Sequence, residues 1–389
     1  MKYCKTCLRT DTLPGILFHK DGVCAACRFQ EEFHYIDWNE RKAALKANAE
    51  WAKKTSKGFD CVVGVSGGKD STFQSFYARD TLGLKPLLVN CAPNNITEVG
   101  QYNLENLVQH GFDMISFRPN PKVMKASVCK GFYKYGNPLK PTEYPLFAVS
   151  FQTALRFEIP LLVLGENIAI NTGVVKSIKP GGDATDIRHH NTIGGGNASD
   201  WIQEGIDLKD LLFYQFPDEE ETRKKVKSIW LGYYLKEWSQ AHNTQFAIEH
   251  GLKGRADTNP YKTGRLNPYI AVDDDTQIVN QMIKYYKYGV GMVTGEVWNL
   301  IREGTITREE AIELVEKYDG NCDESYIQAF CQYIDIMIQE FWKVVDGFVN
   351  KELFQRDPIT NKWIRRFKVG FGLLNLEEIN DKYRHNVCN

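Results

Sequence analysis

Two short stretches of the chain combine residue types whose spacing sets their chemistry. The first is Val65-Ser66-Gly67-Gly68-Lys69-Asp70-Ser71. Two successive glycines let the backbone turn tightly and approach a ligand with no Cβ in the way. Where such a turn opens a helix, its amides and the free N–H groups of the first helical turn converge on one spot. The result is an anion site strengthened by the helix dipole. Ser66 and Ser71 add hydroxyl donors, Lys69 a positive charge, and Asp70 a ligand for Mg²⁺. The spacing is neither G-x-x-x-x-G-K-[ST] nor G-x-G-x-x-G. The plainer reading is an ordinary glycine turn with an Asp/Ser cap.

The second stretch is Cys4-x2-Cys7-x16-Cys24-x2-Cys27. Each close pair supplies two thiolates from one turn, and the intervening residues form a hairpin that brings the pairs together. Four thiolates close a tetrahedral zinc shell, so the site is expected to be structural. Zinc would also supply the folding free energy that a segment this short lacks. Two disulfides and an iron–sulfur cluster are the rival readings. The start Met1-Lys2-Tyr3-Cys4 lacks the apolar stretch of a secretory signal, which favours metal over disulfides, and a cytoplasmic location is the expectation.

The elements that must position these residues follow from the pattern. A polar helix reads over 39–57, then a β-branched run over 59–65 ends at the glycine turn, and a helix runs from Asp70 to about Asp80. Further strands read over 85–91, 112–117 and 160–165, with helices over 96–110, 121–134 and 145–157. This alternation predicts a parallel sheet with helices on both faces. Gly165-Glu166-Asn167 follows the fourth strand at a position matching the glycine turn, so Glu166 is a candidate to coordinate Mg²⁺ or orient a nucleotide. Asn90 and Cys91 end the second strand, with Cys91 reading as a small buried hydrophobe.

After residue 170 the texture changes. Residues 171–200 are rich in Gly, Asn, Asp and His and long for a connection, as functional lids or disordered segments are. Asp183, Asp186, Arg188, His189 and His190, with Lys176 and Lys179, are candidates to bind an anionic group, against solvated loop charges as the bland alternative. From about 273 the chain reads as helical, over 273–288, 294–303, 307–318 and 323–349. Lys284 and Lys287 lie on the first of these helices, where solvated helix charges are the favoured reading over contact with an anionic ligand. Asp273-Asp274-Asp275 would extend a metal site or simply satisfy a helix start.

Basic and acidic side chains nearly balance, 48 against 49, for a net charge of −1. That argues against a protein whose main partner is nucleic acid. No apolar run approaches the ~18 residues of a membrane helix. At 389 residues the chain is long enough for two or three structural units.

The arrangement S-G-G-x-D-S resembles the PP-loop ATP pyrophosphatase superfamily, whose fold is adenine nucleotide alpha-hydrolase-like. The resemblance implies that Ser66, Gly67, Gly68, Lys69, Asp70 and Ser71 grip the β- and γ-phosphates of ATP. Pyrophosphate is then released and AMP passes to an oxygen of the substrate. Lys69, Asp70 and Glu166 would be the catalytic groups, with Gly165 and Glu166 completing the nucleotide site.

Within that superfamily the chain is similar to the N-acetyl sugar amidotransferases that make acetamidino sugars for bacterial lipopolysaccharide O-antigen or flagellin glycans. The likeness rests on the cysteine pairs, S-G-G-K-D-S, Leu164-Gly165-Glu166-Asn167, Tyr285-Tyr286-Lys287-Tyr288-Gly289-Val290-Gly291 and the stretch from Ile301 to Ala311, in that order. It implies a zinc ribbon over 1–38, a PP-loop domain over 39–255, and a mainly helical region over 256–389 that closes over the substrate. It further implies structural Zn²⁺, ATP with Mg²⁺, and a nucleotide-sugar or acetamido-sugar substrate. Ammonia would come from a separate glutaminase, with a cyclase-like partner, and no membrane partner is expected.

Two other readings compete. A tRNA 2-thiolase needs catalytic cysteines, but Cys61, Cys91, Cys129, Cys322 and Cys331 are isolated and the remaining one, Cys388, lies at the tail. A non-catalytic nucleotide-binding scaffold would not need the intact loop.

Overall fold

A computed structural model describes residues 1–166, 181–189 and 193–375. Asn167, Lys176, Lys179, His190 and Cys388 lie outside the described residues.

Five short strands form one parallel sheet: β1 (Cys61–Gly64), β2 (Pro86–Cys91), β3 (Asp113–Phe117), β4 (Leu161–Leu164) and β5 (Lys227–Trp230). Their order is β3-β2-β1-β4-β5 and every neighbouring pair is parallel. The chain steps outward from β1 to β3, then returns to the other side of β1 for β4. The topological switch therefore lies between β1 and β4, the place where open α/β sheets bind ligands beyond the strand carboxyl ends.

Alternation along the strands explains why both faces are covered. Cys61 and Val63 of β1 and Leu88 of β2 pack with Leu45, Ala49, Phe73, Phe76 and Leu107 on one face. Val62, Leu87 and Val89 pack with Val149, Phe151 and Ala154 on the other. The first face is covered by α2 (Trp38–Thr55), α3 (Lys69–Phe76) and α4 (Glu98–Gln109), the second by α6 (Glu143–Arg156), with α5 (Pro121–Tyr135) between β3 and α6 in sequence. Strands β1 to β4 fall within a residue or two of the expected runs. Helix α3 ends at Phe76 and continues as a π-helical turn over Tyr77–Thr81. Strand β5 lies outside the expected runs, because Lys227-Ser228-Ile229-Trp230 is four residues long and follows a charged helix, α7 (Glu219–Lys225).

Two compact units emerge. One comprises Glu32–Asp257 with Asn267–Gln277 and holds the sheet; the other comprises Met1–Glu31, Thr258–Leu266 and Ile278–Asn389. In the latter, the four N-terminal cysteines share one core with Tyr285, Val293, Val297, Phe354 and Phe367. Arg9 is buried with its guanidinium 3.8 Å from the centre of the Trp298 ring, and Thr12 donates to the Tyr288 carbonyl at 2.6 Å. The long helix expected over 323–349 is instead two, Glu324–Ile334 and Ile338–Phe348. Asp335 takes a left-handed conformation, φ 58°, that stops the first. Among the described residues no helix is long and apolar enough to cross a membrane.

Candidate functional site

The glycine turn follows β1 directly, and Gly68 occupies the N-cap position of α3 with no side chain capping it. The N–H groups of the first turn are thus left for a ligand. Gly67 has φ +77°, and a Cβ there would lie 3.2 Å from the Gly100 carbonyl oxygen and 3.2 Å from Leu104 Cγ. Only glycine makes this turn without displacing α4.

The loop is braced from behind. Asn90, 2% exposed, donates through Nδ2 to the Val65 carbonyl at 2.8 Å and accepts through Oδ1 from the Ser116 hydroxyl at 2.9 Å. Its side chain therefore ties β2 and β3 to the residue before the turn. Ser71 and Thr72 donate to the Gly68 carbonyl at 3.1 and 2.9 Å, which fixes the start of α3.

Lys69 is buried and forms an ion pair with Asp70. Asp70 also accepts from Asn243 Nδ2 at 2.8 Å. Asn243 is fully buried in the middle of the helix Gln240–Glu249. A buried amide inside a helix needs a partner, but nothing in the local sequence pattern marks Asn243 as buried.

Gly165 and Glu166 follow β4, next to β1 in the sheet. A Cβ on Gly165 would come within 2.8 Å of Gln74 Nε2, so the end of that side chain on α3 would have to move aside. The Gly165 carbonyl accepts from Gly232 N at 3.1 Å, just past β5. Glu166 is raised above the usual carboxylate range by burial and then by the negative charge of Asp70, with Lys69 opposing. Two carboxylates beside a single lysine are suited to share a divalent cation. The structure thus brings Lys69, Asp70 and Glu166 together at the switch point.

The other polar candidates are engaged locally. Asp183 pairs with Arg223 and accepts from Thr185 N at 2.9 Å. His189 Nε2 lies 2.9 Å and Arg188 3.6 Å from the same carboxylate oxygen of Glu219. Asp274 accepts from Thr276 N at 2.8 Å, and Asp275 pairs with Arg255. In the other unit Lys284 donates to Gln281 at 3.3 Å, and burial lowers it to about 8 against the pull of Asp319. Lys287 lies over the rings of Tyr288 and Phe348.

The cysteine array is built by two knuckles. Cys4 N donates to the Arg9 carbonyl at 2.7 Å, and His19 N to the Val23 carbonyl at 2.9 Å. The four sulfurs lie within 4.8 Å of one another and all four residues are buried. The Cys4–Cys27 and Cys7–Cys24 sulfur separations are both 3.8 Å. Zn–S bonds of about 2.3 Å in a tetrahedron give an edge of about 3.8 Å, so the array fits zinc. Cys24 N also points at Cys4 Sγ at 3.3 Å, a donor of the kind that steadies thiolate ligands. None of the described cysteines is in a disulfide.

The late motifs do architectural work. Gly289 is left-handed, φ +69°, and ends the helix Thr276–Tyr288. A Cβ on Gly291 would strike Asp319 Oδ1 at 2.6 Å. Asp319 instead accepts from Gly291 N, Thr294 N and Thr294 Oγ1 at 2.8, 3.2 and 2.6 Å. Thr307 and Glu310 form a reciprocal capping box.

Comparison with curated proteins gives no match. Residues 263–368, which contain both late motifs, match the family model described as LPS biosynthesis protein WbpG-like, C-terminal domain. The chain therefore carries a segment similar to a family of lipopolysaccharide biosynthesis proteins, consistent with a role in glycan biosynthesis.

Proposed function

We propose that the protein is an ATP-dependent N-acetyl sugar amidotransferase of the PP-loop type, acting in bacterial surface glycan biosynthesis. The observation that carries this reading is the uncapped Ser66–Ser71 turn at the switch point, with Lys69, Asp70 and Glu166 gathered beside it. The lipopolysaccharide family match supplies the glycan context.

The chemistry follows from the poor reactivity of an amide carbonyl. Its oxygen attacks the α-phosphorus of ATP, pyrophosphate leaves, and an O-adenylyl imidate forms. Ammonia adds to the activated carbon, and the C–O bond breaks to release AMP. The acetamido group becomes an acetamidino group. The turn amides and Lys69 offset the charge of the departing pyrophosphate. Asp70 and Glu166 would hold Mg²⁺, which neutralises phosphate charge, and Asn243 positions Asp70. Ammonia would come from a separate glutaminase, with a cyclase-like protein as a further partner. The cysteine array would hold zinc and stiffen its unit.

The thiolase alternative is disfavoured by burial, which raises the thiols of both Cys61 and Cys91, the latter to about 12. Neither is a thiolate near neutral pH. The test incubates the protein with ATP, Mg²⁺, ammonium and nucleotide-linked N-acetyl sugars, reading pyrophosphate release and product mass. The reading expects AMP, pyrophosphate and a lighter sugar in which NH replaces oxygen. Absence of acceptor-dependent pyrophosphate release across such a panel would overturn it.

A further inference from the structure

Within the sheet-bearing unit a cavity of about 500 Å³ opens beside the carboxyl end of β5, lined by Arg41, Tyr233, Tyr234, Glu40, Asp183 and Gly182. Its size falls in the range of small-molecule sites. It shares the carboxyl edge of the sheet with the glycine turn. Trp230 ends β5, Gly232 bonds to Gly165, and Tyr233 and Tyr234 come next in the chain. From β1 to β5 is two strand spacings, about 10 Å, roughly the span of one pyranose with its substituents.

The lining has the chemistry of a carbohydrate site with an anion attached. Tyr233 and Tyr234 stand edge to face, ring centres 5.1 Å apart. The Arg41 guanidinium lies 3.8 Å from the centre of the Tyr233 ring and spends one N–H on the Tyr233 carbonyl at 2.8 Å. Among the described residues Arg41 has no carboxylate partner, although Asp37 and Glu40 stand in the same wall. Asp37 is spent capping α2, and Asp183 is paired with Arg223. The Glu40 carboxylate makes no hydrogen bond or ion pair among the described residues. The cavity thus offers a guanidinium held flat on Tyr233 with donors of its planar fork to spare, and one free carboxylate.

We infer that this cavity is the acceptor subsite. It holds the anionic portion of an N-acetylated sugar on Arg41, with a hydroxyl on Glu40, so that the acetamido group extends toward the glycine turn. The anion is either a diphosphate linkage or a ring carboxylate. This inference rests on the adenylation reading for the identity of the ligand, and on the cavity alone for its place.

Calorimetric titration of the full chain with UDP-N-acetylglucosamine, UDP and UDP-N-acetylglucosaminuronic acid tests it. Arg41→Ala is expected to weaken binding by about tenfold or more, and Arg41→Lys by less, since a bidentate fork becomes a point charge. A loss shared by all three probes assigns the diphosphate to Arg41; a loss confined to the uronate assigns the carboxylate. Should Arg41→Ala fail to fold, labelling of the wild-type chain with a photoreactive UDP-N-acetylglucosamine replaces it. The label is then expected on 36–44, 182–183 or 233–234. Unchanged affinity in the variant, label elsewhere, or no binding of any probe by the wild type overturns the inference. Arg41-dependent binding without ATP cleavage would overturn only the adenylation reading. ATP cleavage with Arg41-independent binding would overturn only the subsite.

Discussion

Gly67 and Gly68 are neighbours, yet alanine at each should fail in a different way. At Gly67 the backbone is left-handed, and alanine there costs roughly 1–2 kcal/mol. The added Cβ also presses on Gly100 O, Leu104 Cγ and Asn103 Cβ at 3.2 to 3.3 Å, for a total of about 2–3 kcal/mol once crowding is included. For a unit of this size that lowers Tm by roughly 4–12 °C. Gly68 has an ordinary φ of −90°, and its added Cβ would meet only Ser66 Oγ, at 3.3 Å. Gly68→Ala should therefore leave Tm within a degree or two, roughly 0.5 kcal/mol. It places a methyl group at the mouth of the turn, where phosphate oxygens must approach the amides, so pyrophosphate release should fall by about 100-fold or more. Differential scanning fluorimetry and a coupled pyrophosphate assay read the two effects separately. A Gly68→Ala protein with wild-type kcat/KM for ATP would refute the phosphate-cradle argument and leave an ordinary glycine turn.

Three further outcomes follow from named contacts. Glu166 is raised, so the folded state keeps its proton where the unfolded chain, at the usual value of 4.5, has lost it. Its contribution to stability is complete below that value and is lost as pH rises through the folded pKa. Glu166→Gln should accordingly raise apo stability at neutral pH by about 1 kcal/mol while abolishing ATP cleavage; a destabilised variant in urea titration would contradict the pairing with Asp70. Asn243→Ala, which frees Asp70, should lower kcat/KM by about tenfold with less change in KM for acceptor; equal effects on both substrates would assign Asn243 a merely structural role. Cys7→Ser should remove one equivalent of zinc by elemental analysis and unfold its unit at moderate temperature; full metal content in the variant would exclude the four-cysteine site.

Much of this arrangement is legible in the chain because the local signals agree. Val62 and Val63 mark a strand buried on both faces, and the glycines directly after them leave one place for a phosphate-binding turn. The cysteine pairs announce their geometry by spacing alone. What stayed hidden depends on distant packing. Asn243 reaches Asp70 across 173 positions, and no periodicity encodes that contact. Strand β5 is a strand because β4 offers it an edge, not because its four residues prefer one. The break at Asp335 is a single left-handed residue inside an otherwise continuous amphipathic pattern. Arg41 lies in a polar helix where nothing in the local pattern singles it out, and only the fold sets it on Tyr233.

The central claim is that ATP activates the carbonyl oxygen of an N-acetyl group. An acceptor labelled with ¹⁸O in that carbonyl, incubated with the protein, ATP, Mg²⁺ and ammonium, tests it by following the oxygen. If the oxygen attacks the α-phosphorus and leaves with it, the label ends in AMP and the amidino product carries none. Label retained in the sugar while AMP is formed unlabelled would contradict the account.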